Sequence, residues 1–257
     1  MVGSFEIIHK DSKEMSELAT ATVDLVITSP PYFSTETEAL LKAPLDRQTH
    51  EEVVQAQVTA FAHSLSPVFN EMVRILKPGG ALVLQTKDLR YGAFLISLAE
   101  THRQQVVDAG LHLVTKVYWQ ARFLSSAQKA RIKDVSTVGR FCAQDVEEFQ
   151  VYTTRGGCAL RGAPVELDDQ ERKACISPLW CLPGNGGNQT HPYQSPASVL
   201  KRFIALYSAP GDWVVDPFAG HATALRLAAR LGRNTVGYEI DQKHVEKANA
   251  LYAQKRR

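Results

Sequence analysis

Two short stretches combine residues able to do chemistry with residues that hold a backbone stiff. The first is Thr28-Ser29-Pro30-Pro31-Tyr32, directly after the apolar run VDLVI. A hydroxyl and a carbonyl sit side by side there. The two prolines fix their direction and leave no backbone N–H to compete for the same space. Such an acceptor pair can grip both hydrogens of an amine, and Tyr32, with Phe33 behind it, offers a flat face on which a ring can stack. The second stretch is Asp216-Pro217-Phe218-Ala219-Gly220, after the apolar WVV and before a helix. It pairs a carboxylate with a turn tight enough to bring backbone close to a ligand at a helix start. Each has an ordinary explanation: Pro-Pro after a strand is often a stiff turn, and a strand–Gly–helix junction is common in α/β proteins. Their order and spacing, taken together, say more than either alone.

The elements that must position these residues alternate between strand and helix periodicity. Strands are expected at 5–9, 23–28, 81–85, 111–119, 149–153, 213–216 and 235–240. A helix is expected over 51–76, where Val54, Val58, Phe61, Leu65, Phe69, Met72, Val73 and Leu76 recur at helical spacing, with Lys77-Pro78-Gly79-Gly80 ending it. Further helices are expected at 93–109, 197–207, 221–231 and 244–254, and an irregular connection over 154–195. Seven strands with helices between most of them predict one α/β domain over 1–257, built on a doubly wound, mostly parallel seven-stranded sheet. In such sheets ligands bind beyond the carboxyl ends of the strands, where both stretches fall.

Bulk properties narrow the function classes. The chain of 257 residues is 44% hydrophobic and 22% charged, with a net charge of +2, as in an ordinary globular protein. No apolar run approaches a membrane span and the start has no signal-peptide layout, so a cytoplasmic protein without membrane contact is expected. Cys142, Cys158, Cys175 and Cys181 form no C-x-x-C pair, which favours reduced thiols over a metal site. With so small a net charge, contact with nucleic acid must come from local clusters of Lys and Arg.

The sequence resembles the amino-methylating DNA methyltransferases of the circularly permuted, β-type arrangement. The resemblance rests on TVDLVITSPPYF, EMVRILKPGGALVLQTKD, THPYQSPASVLKRFIALYSAPGDWVVDPFAG and GRNTVGYEID, and covers most of the chain. The catalytic motif preceding the cofactor motif is the sign of the permuted class. The resemblance implies a Rossmann-like methyltransferase fold using S-adenosyl-L-methionine, with Ser29, Pro30, Pro31 and Tyr32 as catalytic residues. Asp216 would lie near the ammonium group of the cofactor, Phe218, Ala219 and Gly220 would form the turn around it, Thr28 would border it, and Thr223 would reach its carboxylate. Glu239 would accept the ribose hydroxyls, Asp11 would face the adenine or cap a helix beginning near Ser12, and His191 and Ser195 would pack over the cofactor. Three positions depart from the family pattern. His221 and Ala222 stand where a small residue and a glycine are usual, and Ser195 where Lys is frequent. A positive φ at Ala222 would cost about 1 kcal/mol or more.

An exocyclic amine is conjugated with its ring and is a poor nucleophile, so acceptors that pull it toward tetrahedral geometry free its lone pair. The base must first leave the duplex, at a cost that stacking partly returns. Family members with Ser before Pro-Pro-Tyr mostly act on cytosine, so the resemblance implies cytosine N4 as target, with adenine N6 as the alternative; a catalytically silent DNA-binding relative and an RNA-directed enzyme are more distant readings. Arg122, Lys129, Arg131, Lys133 and Arg140, interleaved with Ser and Thr, are the candidate DNA contacts. Segments 120–147 and 154–195 are the room for target recognition, which predicts a short recognition sequence in double-stranded DNA. A restriction–modification or epigenetic marking role, with a cognate restriction endonuclease as partner, fits such an enzyme, and a homodimer is an open state.

Overall fold

The computed structural model describes residues 2–31, 47–91, 94–121, 146–154, 157, 166–183 and 195–254. Along the chain run β1 (Phe5–His9), β2 (Val23–Thr28), α1 (Arg47–Ile75), β3 (Leu76–Thr86), β4 (Leu89–Tyr91), β5 (Phe94–Ile96), α2 (Leu98–Asp108), β6 (His112–Ala121) and β7 (Val146–Thr153). They are followed by α3 (Asp169–Ala174), β8 (Leu179–Leu182), α4 (Ala197–Tyr207), β9 (Trp213–Asp216), α5 (Thr223–Arg230), β10 (Asn234–Glu239) and α6 (Gln242–Gln254).

Among the described residues the main sheet has eight strands in the order β1-β10-β9-β2-β3-β7-β6-β8, one more than the seven expected. It is parallel from β1 to β3 and at β6–β8, while β7 runs antiparallel to both its neighbours. The extra strand, β8, lies inside the segment expected to be irregular; four residues, LWCL, are too few to show a period. The same segment holds α3, and the capping box between Asp168 and Glu171 is the sequence signal that marks its start. The helix expected over 93–109 begins only at Leu98, because 94–96 pair as strand β5 with 89–91 of β4. Its first turn is held from outside: the Asp88 carboxylate accepts the Ala99 N–H at 3.1 Å. Lys77-Pro78-Gly79-Gly80 does end α1, but lies within β3, where the register against β2 jumps from Val23↔Leu76 to Leu25↔Ala81.

Side chains alternate across the sheet into two cores. Leu25, Ile27, Ala81, Val83, Val151 and Val214 face α4 and α5, packing on Val199, Phe203, Ile204 and Leu225. Val26, Leu82, Leu84, Val215 and Val236 face the opposite way, toward Phe69, Met72 and Ile75 of α1 and Val106 of α2. Each fully buried Phe, Ile or Leu contributes about 1.5–3 kcal/mol, so these layers hold the sheet against chain entropy. The crossover β2–α1–β3 steps one way from β2, and β9–α5–β10 steps the other way from β9. Crossovers of one hand that leave in opposite directions must use opposite faces, as α1 and α5 do. The carboxyl ends of β2 and β9 therefore flank the switch point of the sheet.

Candidate active site at the switch point

Parallel pairing of β2 with β9, Leu25↔Val214 and Val26↔Val215, brings Thr28 and Asp216 to the same edge of the sheet from 188 residues apart. The Thr28 hydroxyl donates to Asp216 Oδ1 at 2.6 Å, and the same oxygen accepts the Phe218 N–H at 3.1 Å. Ser29 is half-buried, Pro30 buried and Pro31 exposed, so the chain emerges from the core within three residues. Burial pushes the Asp216 carboxyl up to about 7, and the nearby Glu239 carboxylate pushes in the same direction; the Thr28 and Phe218 donors work against both.

Glu239 ends β10, next to β9. Its Oε2 accepts the Gly220 N–H at 2.8 Å and its Oε1 accepts the Asp241 N–H at 2.9 Å, which leaves lone pairs on both oxygens for further donors. The turn between β9 and α5 thus hangs on two carboxylates, Asp216 through Phe218 and Glu239 through Gly220. Gly220 has φ +50°, and a Cβ there would meet nothing within 4 Å, so bare backbone faces open space. Ala222 also takes the left-handed conformation, φ +54°. The strain of about 1–2 kcal/mol is offset in part by its methyl, fully buried in the core and contributing about 0.8 kcal/mol. Thr223 opens α5, its hydroxyl accepting from Arg226 at 3.2 Å, while Arg226 Nε also donates to the His221 carbonyl at 3.0 Å.

Ser195 is buried just before α4 and donates to Gln85 at the end of β3, so it borders the same edge. Asp11 is exposed, and no helix begins near Ser12: its carboxylate accepts the Lys13 N–H at 3.0 Å in a turn. Tyr32, His191, Arg122, Lys129, Arg131, Lys133 and Arg140 lie outside the described residues. Two partners of the site carried no sequence signal. His244 of α6 stands 3.9 Å from Glu239 and edge-on to His221 at 5.1 Å, and Gln85 meets Ser195 across 110 residues.

Residues 23–250 match the N6/N4 family described as DNA methylase. This chain belongs to the N6/N4 DNA methylase family. It is a DNA methyltransferase, and the DNA methylase is 27% identical to the Type II methyltransferase M.MjaI of Methanocaldococcus jannaschii, over 92% of this chain and 87% of that one. It is 25% identical to the Type II methyltransferase M.MthZI of Methanothermobacter thermautotrophicus, over 94% of this chain and 74% of the other. Solved structures share its fold. A candidate DNA modification methylase from Thermus thermophilus, in complex with S-adenosyl-L-methionine, superposes with a TM-score of 0.73 at 22% identity, covering 97% of this chain and 95% of that one. The PvuII DNA methyltransferase, cytosine-N4-specific, superposes with a TM-score of 0.71 at 19% identity, covering 98% and 93%.

Proposed function

We propose that this DNA methylase transfers a methyl group from S-adenosyl-L-methionine to the N4 amine of a cytosine flipped out of double-stranded DNA at a short recognition sequence. The observation that carries the reading is the meeting of Ser29-Pro30 and Asp216–Gly220 at neighbouring strand ends, tied by the Thr28–Asp216 hydrogen bond. The residues present fit the cofactor: Gly220 leaves backbone open, Glu239 keeps acceptor capacity, and the buried Asp216 carboxylate accepts from Thr28 and Phe218 and gains from a cation beside it. In this reading Asp216, Phe218, Ala219, Gly220, Thr223 and Glu239 hold it, with Thr28, Ser195, Asp11 and His191 around them. When bound, S-adenosyl-L-methionine supplies an electrophilic methyl on a sulfonium sulfur.

The protein's own part is orientation and polarisation. The Ser29 hydroxyl and the Pro30 carbonyl accept the two amine hydrogens, which localises the nitrogen lone pair. Pro30, buried, and Pro31 keep those acceptors aimed, an advantage of position rather than of new bonds. Tyr32 stacks on the extruded base. Segments 120–147 and 154–195 read the sequence, with Arg122, Lys129, Arg131, Lys133 and Arg140 on the phosphates. The order of the motifs supports the permuted arrangement within one domain, and the Type II names of both relatives support a place in a restriction–modification pair. No helix among the described residues is long and apolar enough to cross a membrane.

The cytosine-N4 specificity of the PvuII enzyme and the Ser at position 29 support cytosine over adenine. The test is digestion of DNA methylated by the purified protein and separation of the nucleosides by mass and retention. N4-methylcytosine is expected; N6-methyladenine alone rejects cytosine as target and leaves the methylase reading in place.

A further inference from the structure

The two loops of the site share one atom. Asp216 Oδ1 accepts both the Thr28 hydroxyl, from the residue before Ser29, and the Phe218 N–H, from the turn before Gly220. Thr28 is itself 4% exposed, so its hydroxyl works in a dry environment. We propose that Thr28 is a positioning residue that couples the base loop to the cofactor turn by donating to Asp216. Ordering of the turn around Phe218 then fixes Thr28, and Thr28 fixes the direction in which Ser29 leaves β2.

The energetics favour such coupling. A buried carboxylate without a cation is poised between its two protonation states, and burial places Asp216 near 7. Ionised, it accepts strongly from both loops; protonated, it loses much of its hold on them. Among the described residues the charged and titratable groups around it are few. Glu239 faces it from β10, backed by His244 of α6, and His221 and Arg226 join the same turn from the α5 side. Asp24, the carboxylate on β2, is engaged by Lys77 at 2.9 Å and belongs to the end of that strand away from Thr28. A cationic ligand at the turn favours the ionised carboxylate and so tightens the Thr28 bond.

The inference rests on the cofactor reading proposed above, and the test separates the two. Binding of S-adenosyl-L-methionine to the purified protein is measured by calorimetry between pH 6 and 8.5, in buffers of different ionisation enthalpy to count protons. The variants are Thr28→Val, which keeps the shape and loses the donor, and Thr28→Ser, which keeps the donor. Turnover is followed on long unmethylated DNA, which contains every short recognition sequence. Without the donor, Asp216 titrates at higher pH. Thr28→Val is therefore expected to bind about ten-fold more weakly near pH 7, to release more protons on binding, and to recover most of its affinity toward pH 8.5. Its kcat falls by about ten-fold or more while KM for DNA moves little, and Thr28→Ser restores both profiles to within about two- or three-fold. A loss of affinity that is the same at every pH, or an unchanged kcat, overturns the coupling while cofactor binding by the wild type stands. Absence of binding to the wild type overturns both readings.

Discussion

Asp216 is a carboxylate placed where a carboxylate is least stable, and that placement has a measurable consequence. Its folded value near 7 lies well above the ordinary aspartate value, so the folded state binds a proton more tightly than the unfolded state does. Between about pH 4 and pH 7 this group therefore favours folding more as the pH falls. At pH 8, where it is ionised in both states, the cost of burying the charge is fully present. Asp216→Asn keeps an oxygen to accept from Thr28 and Phe218 and removes the charge. The variant is expected to be about 1–3 kcal/mol more stable to unfolding than the wild type at pH 8, with the gain shrinking toward pH 5, and to lose cofactor binding at both. Urea midpoints at the two pH values check this; a gain independent of pH would show that the carboxylate is not the strained group. Ala222 shows the same tolerance of local cost at the same turn, with its buried methyl limiting the penalty of a left-handed backbone.

At the scale of elements, α2 is fastened to the sheet by polar groups inside an apolar layer. His102 is 1% exposed, stacks edge-on to Phe69 of α1, and meets the Thr86 hydroxyl through Nδ1 at 3.0 Å; its Nε2 has no hydrogen-bond partner among the described residues. Burial lowers its pKa to about 4. The ring is therefore neutral in the folded protein at a pH where the unfolded chain already binds a proton. Its contribution to stability is whole above about pH 6.5 and is lost as the pH falls toward 4. Replacing His102 with Leu, which preserves most of the packing, is expected to flatten this acid limb by about 2–3 kcal/mol, read as the change in unfolding free energy between pH 7 and pH 4.5. An acid limb identical in the two proteins would place the effect in other groups. At Gln150, whose amide donates to the Ala99 carbonyl at 2.9 Å, the same interface continues as a buried polar contact between β7 and α2.

At the scale of the whole molecule, a net charge of +2 means that affinity for DNA must be local rather than global. The cluster from Arg122 to Arg140 is the basic stretch that the proposed function uses. Lys129→Ala combined with Arg131→Ala is expected to weaken DNA binding and to reduce the slope of log affinity against log salt by about one unit for each phosphate left without its cation. Titrations at three or more salt concentrations give the slope; an unchanged slope and affinity would assign the segment to the solvated surface.

Most of the strands and helices around the site were legible from the order of residues, because hydrophobic period and Gly/Pro punctuation are local properties. The ends of β2 and β9, with Ser29-Pro30-Pro31 and Asp216-Pro217-Phe218-Ala219-Gly220, stand where the apolar runs stop. Local signals also misled locally. Strand β5 falls where the first turn of a helix is expected, since a short apolar run fits either period, and β8 is too brief to have one. What required the tertiary structure is everything that depends on partners far apart in the chain. The hydrogen bond from Thr28 to Asp216 spans 188 residues, Ser195 meets Gln85 across 110, and His244 reaches Glu239 from a separate helix. The titration of Asp216 belongs to the same class. Its pKa is set by the water it has lost and by Glu239 across the neighbouring strand, and burial of that kind exists only once the sheet has closed around it.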